Sequence, residues 1–126
     1  KKIYYEKYTK KSYTISNVDL IINRMFSKIN NGVYIDIGCN HPIKFNNTYL
    51  LYKRGWKGIN LDLDEKSISE FNILRPKDHN LKALISSEEN IEKEIFFYHD
   101  RSAINTVSKN LITHRKTKIE EIKIIK

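Results

Sequence analysis

Apolar residues recur at helical spacing early in the chain. Leu20, Ile21, Ile22, Met25, Phe26 and Ile29 form one stripe, with Ser16 or Asn17 placed to cap it and Asn30-Asn31-Gly32 as a left-handed stop. The pattern predicts a helix to about Asn30. Val33 to Ile37 follows as a short apolar run broken by Tyr34 and closing on Asp36-Ile37-Gly38, which predicts a buried strand. A second helix is expected from Asn47 or Thr48 to Arg54, with Gly55 as its C′ residue. From Gly58 to Leu63 apolar and polar residues alternate, giving a second strand. Ser67 to about Leu74 reads as a third helix, stopped at Arg75-Pro76 because the residue before proline avoids the α region. Leu81 to Ser86 is a third predicted strand. Glu94 to Tyr98 is a fourth, beyond the acidic turn Ser87-Glu88-Glu89-Asn90. From Lys116 to Lys126 the alternation suits a strand while the Lys and Glu content suits a helix.

Helices alternating with strands imply βαβ units and right-handed crossovers. The expected fold class is therefore α/β: a Rossmann-like, mainly parallel sheet with flanking helices. One domain is expected over residues 16–126, behind a lead-in segment over residues 1–15.

Composition narrows the picture further. The chain has 126 residues, of which 40% are hydrophobic, enough for one domain with a modest core. Cys39 stands alone, which excludes an intrachain disulfide framework and zinc-ligand spacing. No run approaches the ~18 apolar residues of a membrane span, so no membrane span is expected. Lys1 to Lys11 lacks the apolar stretch of a signal peptide, and the cytoplasm is the expected compartment. The net charge is +8, yet only five of the 23 basic residues are Arg and the lysines are spread along the chain. That distribution argues against a nucleic-acid partner, which would favour clustered Arg and Lys among aromatics. Lys1 to Tyr13, with Tyr4, Tyr5, Tyr8 and Tyr13, comes nearest to such an arm and reads as a solvated lead-in.

Ligands of open α/β sheets bind beyond the carboxyl ends of the strands. There the first strand offers Asp36-Ile37-Gly38-Cys39-Asn40-His41-Pro42, with a glycine that lets backbone approach a ligand and a carboxylate beside it. The second ends in Asp62, placed to accept hydrogen bonds from both ribose hydroxyls. A nucleoside-bearing cofactor is implied. The pyrophosphate fingerprint is incomplete, since Asn40 and Ile43 stand where its second and third glycines belong, and there is no phosphate loop ending in Gly-Lys-Ser/Thr. A cofactor without phosphates fits better, and S-adenosylmethionine, whose sulfonium tolerates acidic neighbours, leads over ATP, GTP and NAD. No His, Asp or Glu cluster has metal-ligand spacing, so no metal is expected.

Three stretches together resemble a known family: Val33-Tyr34-Ile35-Asp36-Ile37-Gly38-Cys39-Asn40-His41-Pro42, Phe45-Asn46-Asn47-Thr48-Tyr49, and Tyr52-Lys53-Arg54-Gly55-Trp56-Lys57-Gly58-Ile59-Asn60. They look like the FkbM-type methyltransferases, a branch of the class I S-adenosylmethionine-dependent enzymes. Ser12 to Ile22, with Asp19, resembles the family's lead-in helix, without its usual Gln ahead of the acid. The resemblance covers Ser12 to Tyr98. By position it implies that Asp36, Gly38 and Asn40 line the methionine end of the cofactor, with Cys39 and His41 adjacent. Asp62 would hold the ribose, and Ala83-Leu84 would lie near adenine. Ser86 and Ser87 stand where many class I enzymes carry an acid after the third strand. A complete class I domain has seven strands, so the resemblance implies an amino-terminal part of one, completed by a missing carboxyl-terminal half or an oligomer partner. It also implies O-methylation of a small-molecule substrate, a sugar-like hydroxyl acceptor, with no catalytic base identified.

Blander roles compete at each position. Asp36 can serve as a cap or ion-pair partner, and Asp64 and Glu65 suit the start of the third helix. Cys39 reads as a small packed residue and His41 as a stabiliser of its own loop. Trp56, Tyr49 and Tyr52 read as core. His79, His99 and His114 fall in predicted surface loops, and Asp100-Arg101-Ser102 with Asn105-Thr106 in a polar loop. The competing function is a non-catalytic Rossmann-like binding module, acting through its basic surface on nucleic acid or a protein partner.

Overall fold

The computed structural model describes residues 11–85, 93–98, 107–108, 110–111 and 121–125. Among these the elements are α1 (Val18–Met25), β1 (Val33–Ile37), α2 (Tyr49–Lys53), β2 (Lys57–Asp62), α3 (Glu65–Leu74), β3 (His79–Lys82), β4 (Lys93–Phe97) and β5 (Glu121–Ile125). They fall into two units, Lys1–Ala83 and Leu84–Lys126. No helix of the described residues is long and apolar enough to cross a membrane.

In the first unit β1, β2 and β3 form a parallel sheet in that order, Tyr34 opposite Gly58, Asp36 opposite Asn60 and Asn60 opposite Asn80. Leu51 of α2 packs against Tyr34, and Arg75, which caps α3, lies over the same ring, so both helices cover one face of the sheet, as the usual right-handed crossovers taken in one direction require. Side chains alternate along each strand, so Tyr34, Asp36, Gly58, Asn60, Asp62 and Asn80 share the helix-covered face. Val33, Ile35 and Ile37 share the other. The expectation of a buried β1 is corrected on that face: Ile35 and Ile37 are 62% and 63% exposed, because neither crossover helix lies there.

Under the helices the apolar core is small. Tyr34, Leu51 and Trp56 form one cluster with Ile22 and Tyr52 against it, and Cys39, Ile68 and Phe71 form another. The Tyr34 ring lies across Gly58, where a Cβ would fall inside the ring. Polar groups fill the rest. Arg75 and Asp78, both buried, pair at 2.9 Å. Asp78 also accepts from the Tyr34 hydroxyl (2.6 Å), the Gly58 N–H (2.8 Å) and the Asn60 amide (3.0 Å). The Arg75 guanidinium lies 5.0 to 5.3 Å from the ring centres of Phe71, Tyr52 and Tyr34. Burial, and then the bond to Asp78, pushes the Tyr34 hydroxyl's pKa well above its ordinary value.

Helix α1 ends five residues before the predicted stop, and its apolar stripe is mostly exposed. Other donors claim the carbonyls beyond Met25. Arg54 Nη2 donates to Phe26, Ser27 and Ile29, and Trp56 Nε1 donates to Ile29. At its start Asn17 is left-handed and makes no side-chain cap. Asp19, in the first turn, instead pins the preceding segment to the helix, accepting from Ser12 Oγ (2.6 Å), Tyr13 N (2.7 Å), Thr14 Oγ1 (3.0 Å) and its neighbour Leu20 N (2.9 Å).

Helix α2 is C-capped by Arg54 and followed by Gly55 at φ 91, as the C′ pattern predicts. Helix α3 starts two residues early because the Asp64 side chain caps Lys66 N. Strand β3 is corrected from Leu81–Ser86 to His79–Lys82. Its pairing starts with His79 opposite Ile59, and Asn60 Nδ2 donates to Asn80 Oδ1 at 2.8 Å. In the second unit β4 pairs antiparallel with β5, so the described part of the tail, Glu121–Ile125, is a strand. Ile95, Phe96 and Tyr98 are buried. Ser86, Ser87, His99, His114, Asp100-Arg101-Ser102 and Asn105-Thr106 lie outside the described residues.

Candidate functional site at the tips of β1 and β2

Gly38 (φ 71) and Asn40 (φ 52) are both left-handed, so the chain leaving β1 doubles back toward β2. Asparagine is among the few non-glycine residues that adopt this region readily, which lets Asn40 take a glycine's place in the bend. The bend is closed by backbone. Gly38 N and Cys39 N both donate to the Leu61 carbonyl, at 2.8 and 3.1 Å, and Asn40 N donates to Asp62 Oδ2 at 2.8 Å. Asp62 Oδ1 accepts from Asp64 N at 2.9 Å. The carboxylate of β2 thus ties its own strand to the loop after β1. Ala83, just past β3, donates its N–H to the Asp62 carbonyl at 3.0 Å and so sits at the same edge of the sheet.

Asp36 is anchored by side chains. Its Oδ2 accepts from Asn46 Nδ2 at 3.1 Å and from Thr48 Oγ1 at 2.8 Å. Asn46 Nδ2 also reaches the Cys39 carbonyl at 3.4 Å, joining Asp36 to the bend. His41 Nδ1 accepts from Ile43 N (3.0 Å) and Lys44 N (3.1 Å), the loop-stabilising role expected of it. An Nδ1 that accepts carries no proton. Cys39 is buried against Ile68 and Phe71, and burial, with Asp62 and Asp36 nearby, pushes its thiol up to about 12. It is a protonated packing residue at neutral pH and no nucleophile.

All six predicted site residues therefore gather at one end of the sheet. Asp36, Asn40, His41 and Asp62 are half-buried, Gly38 is exposed, and Cys39 lies beneath them. The sequence marks Thr48 as a helix start, Asn46 and Thr48 as part of a resemblance stretch and Arg75 as a helix stop, but assigns none of them a role behind Asp36. Asn46 and Thr48 lie in a polar stretch without periodicity. A polar face repeated on two adjacent strands, Tyr34 and Asp36 beside Gly58, Asn60 and Asp62, is the signal that could have found them.

The arrangement offers two carboxylates and few free amides at the strand tips. Bonds to Leu61 O and Asp62 Oδ2 occupy the three N–H groups of the bend, Gly38, Cys39 and Asn40. These are the groups with which a glycine loop would cradle a phosphate. The two carboxylates favour hydroxyl donors and cations. Comparison with family models, with curated proteins and with solved structures finds no match.

Proposed function

We propose that this chain binds S-adenosylmethionine at the tips of β1 and β2 and transfers its methyl group to a hydroxyl of a sugar-like small molecule. One observation carries the reading. A bend whose amides are already bonded, flanked by Asp36 and Asp62, suits a ligand with ribose hydroxyls and positive charge and disfavours a pyrophosphate. The resemblance of these same stretches to FkbM-type methyltransferases supports it. Asp62, whose oxygens keep further lone pairs, would take the ribose hydroxyls, and Asp36 the cationic methionine end. The cofactor supplies an electrophilic methyl carbon on a sulfonium. This chain's residues hold the donor and align the acceptor oxygen behind it, and such alignment supplies much of the acceleration in a displacement of this kind. The three-stranded sheet is Rossmann-like, and among the described residues β1 lies at its edge with Val33, Ile35 and Ile37 exposed, a face that suits further packing elements.

Calorimetry with S-adenosylhomocysteine tests the reading. The wild-type chain is expected to bind it, and Asp62→Ala to weaken binding at least about tenfold, the loss of hydrogen bonds to a charged acceptor. Equal binding by both proteins would remove Asp62 from the site. Salt-steep binding of RNA or DNA, with no response to S-adenosylhomocysteine, would favour the binding-module alternative.

A further inference from the structure

We infer that Arg75, buried beneath the strand tips, is a positioning residue for Asp36 and acts through Asn46 and Thr48. The inference rests on the cofactor reading above. A guanidinium removed from water must be paired and fully bonded. Arg75 is fully buried, and its Nε pairs with Asp78 at 2.9 Å. Its Nη groups serve a different set of partners. Nη1 donates to Asn46 Oδ1 at 3.1 Å and to the Pro42 carbonyl at 3.4 Å, and Nη2 donates to Thr48 Oγ1 at 3.0 Å and to the Tyr34 hydroxyl. Asn46 and Thr48 are the two residues that hold Asp36 Oδ2.

Donor and acceptor chemistry fixes the direction of every bond in this relay. Arginine only donates, and an ionised carboxylate only accepts. Because Asn46 Oδ1 faces Arg75 and also accepts from Thr48 N at 3.0 Å, its Nδ2 must face Asp36. Thr48 Oγ1 has one proton. It lies 2.8 Å from Asp36 Oδ2 and 3.0 Å from Asn46 Oδ1, and the charged, nearer acceptor takes it. Both relay bonds end on Oδ2, which sets the plane of the carboxylate and leaves Oδ1 outside the relay. A buried positive charge thereby orients the half-buried negative group at the tip of β1.

The test separates orientation from mere stability. Thr48→Val keeps shape and removes the proton donated to Asp36, whereas Thr48→Ser restores it. Arg75→Lys keeps the charge and loses the fork. Two readouts are taken: the carbon-13 signal of the Asp36 carboxyl, and affinity for S-adenosylhomocysteine. Thr48→Val and Arg75→Lys are expected to move the Asp36 signal and weaken binding about tenfold, with Thr48→Ser close to wild type on both. An Asp36 signal unmoved in the folded Thr48→Val protein overturns the relay. Should valine prevent folding, Thr48→Ala is read the same way. A wild-type chain that does not bind S-adenosylhomocysteine sinks the cofactor reading, and the Asp36 signal then decides the relay alone.

Discussion

Asp62 closes β2 and Asp36 stands one residue before the end of the adjacent parallel strand β1, yet they are held by opposite means. Backbone N–H groups of Asn40 and Asp64 hold Asp62, donors that any residue but proline would supply. Side chains of Asn46 and Thr48 hold Asp36, and those lean in turn on Arg75. The first carboxylate is a property of the fold's geometry. The second is a property of three particular side chains, those of Asn46, Thr48 and Arg75, and a single substitution among them can unseat it. A third acid shows the mixed case: Asp19 draws on the backbone of Tyr13 and Leu20 and on the hydroxyls of Ser12 and Thr14.

Arg75→Met breaks the contrast most severely. It leaves the Asp78 carboxylate buried without its cation, at a cost of about 3–5 kcal/mol, to be read as a loss of unfolding free energy in urea. In whatever folded fraction survives, hydrogen exchange should find the Asn40 and Asp64 amides, which depend on backbone geometry, better protected than the loop around Asn46. Equal loss of protection at both tips would erase the distinction.

Asp19→Asn is expected to cost less, about 1–3 kcal/mol at neutral pH, as bonds to a charged acceptor weaken. Its pH dependence follows from the direction of the shift. Burial opposes ionisation, but the bonds from Ser12, Tyr13, Thr14 and Leu20 outweigh it and hold the carboxyl below its ordinary 3.8. The folded protein therefore binds this proton less readily than the unfolded chain. Its contribution is full well above 3.8 and fades as pH falls through the lowered value. The melting-temperature gap between wild type and Asp19→Asn should thus be wide at pH 7 and narrow near the acid limit. A gap that widens on acidification contradicts the account.

Local patterns gave most of the first unit. Hydrophobic runs placed β1 at its observed limits, Gly55 marked the end of α2, and Pro76 marked the end of α3. Where partners distant in sequence decide the outcome, the pattern misled. The carbonyls of Phe26 and Ile29, read as helix, are taken by Arg54 and Trp56, about 27 residues away. His79 and Asn80 look like loop and become strand because Asn60 pairs with Asn80. An apolar β1 implied cover on both faces. The chain instead places its helices over the polar face of the sheet, where Arg75 and Asp78 make the interior, and leaves Ile35 and Ile37 exposed. The gathering of Asp36, Gly38, Asn40 and Asp62 at the strand tips was legible because glycine bend and strand-tip acid are local features. The relay behind Asp36 was not, since it joins positions 36, 46, 48 and 75 through side-chain geometry alone.

Amide chemical-shift mapping with S-adenosylhomocysteine, run in parallel with NAD, tests the central claim most directly. The account predicts shifts concentrated on Gly38 to His41 and Asp62 to Asp64 with the first ligand, and none at matching concentrations of the second. Shifts at those amides with NAD alone, or a site mapped away from the two strand tips, would contradict it.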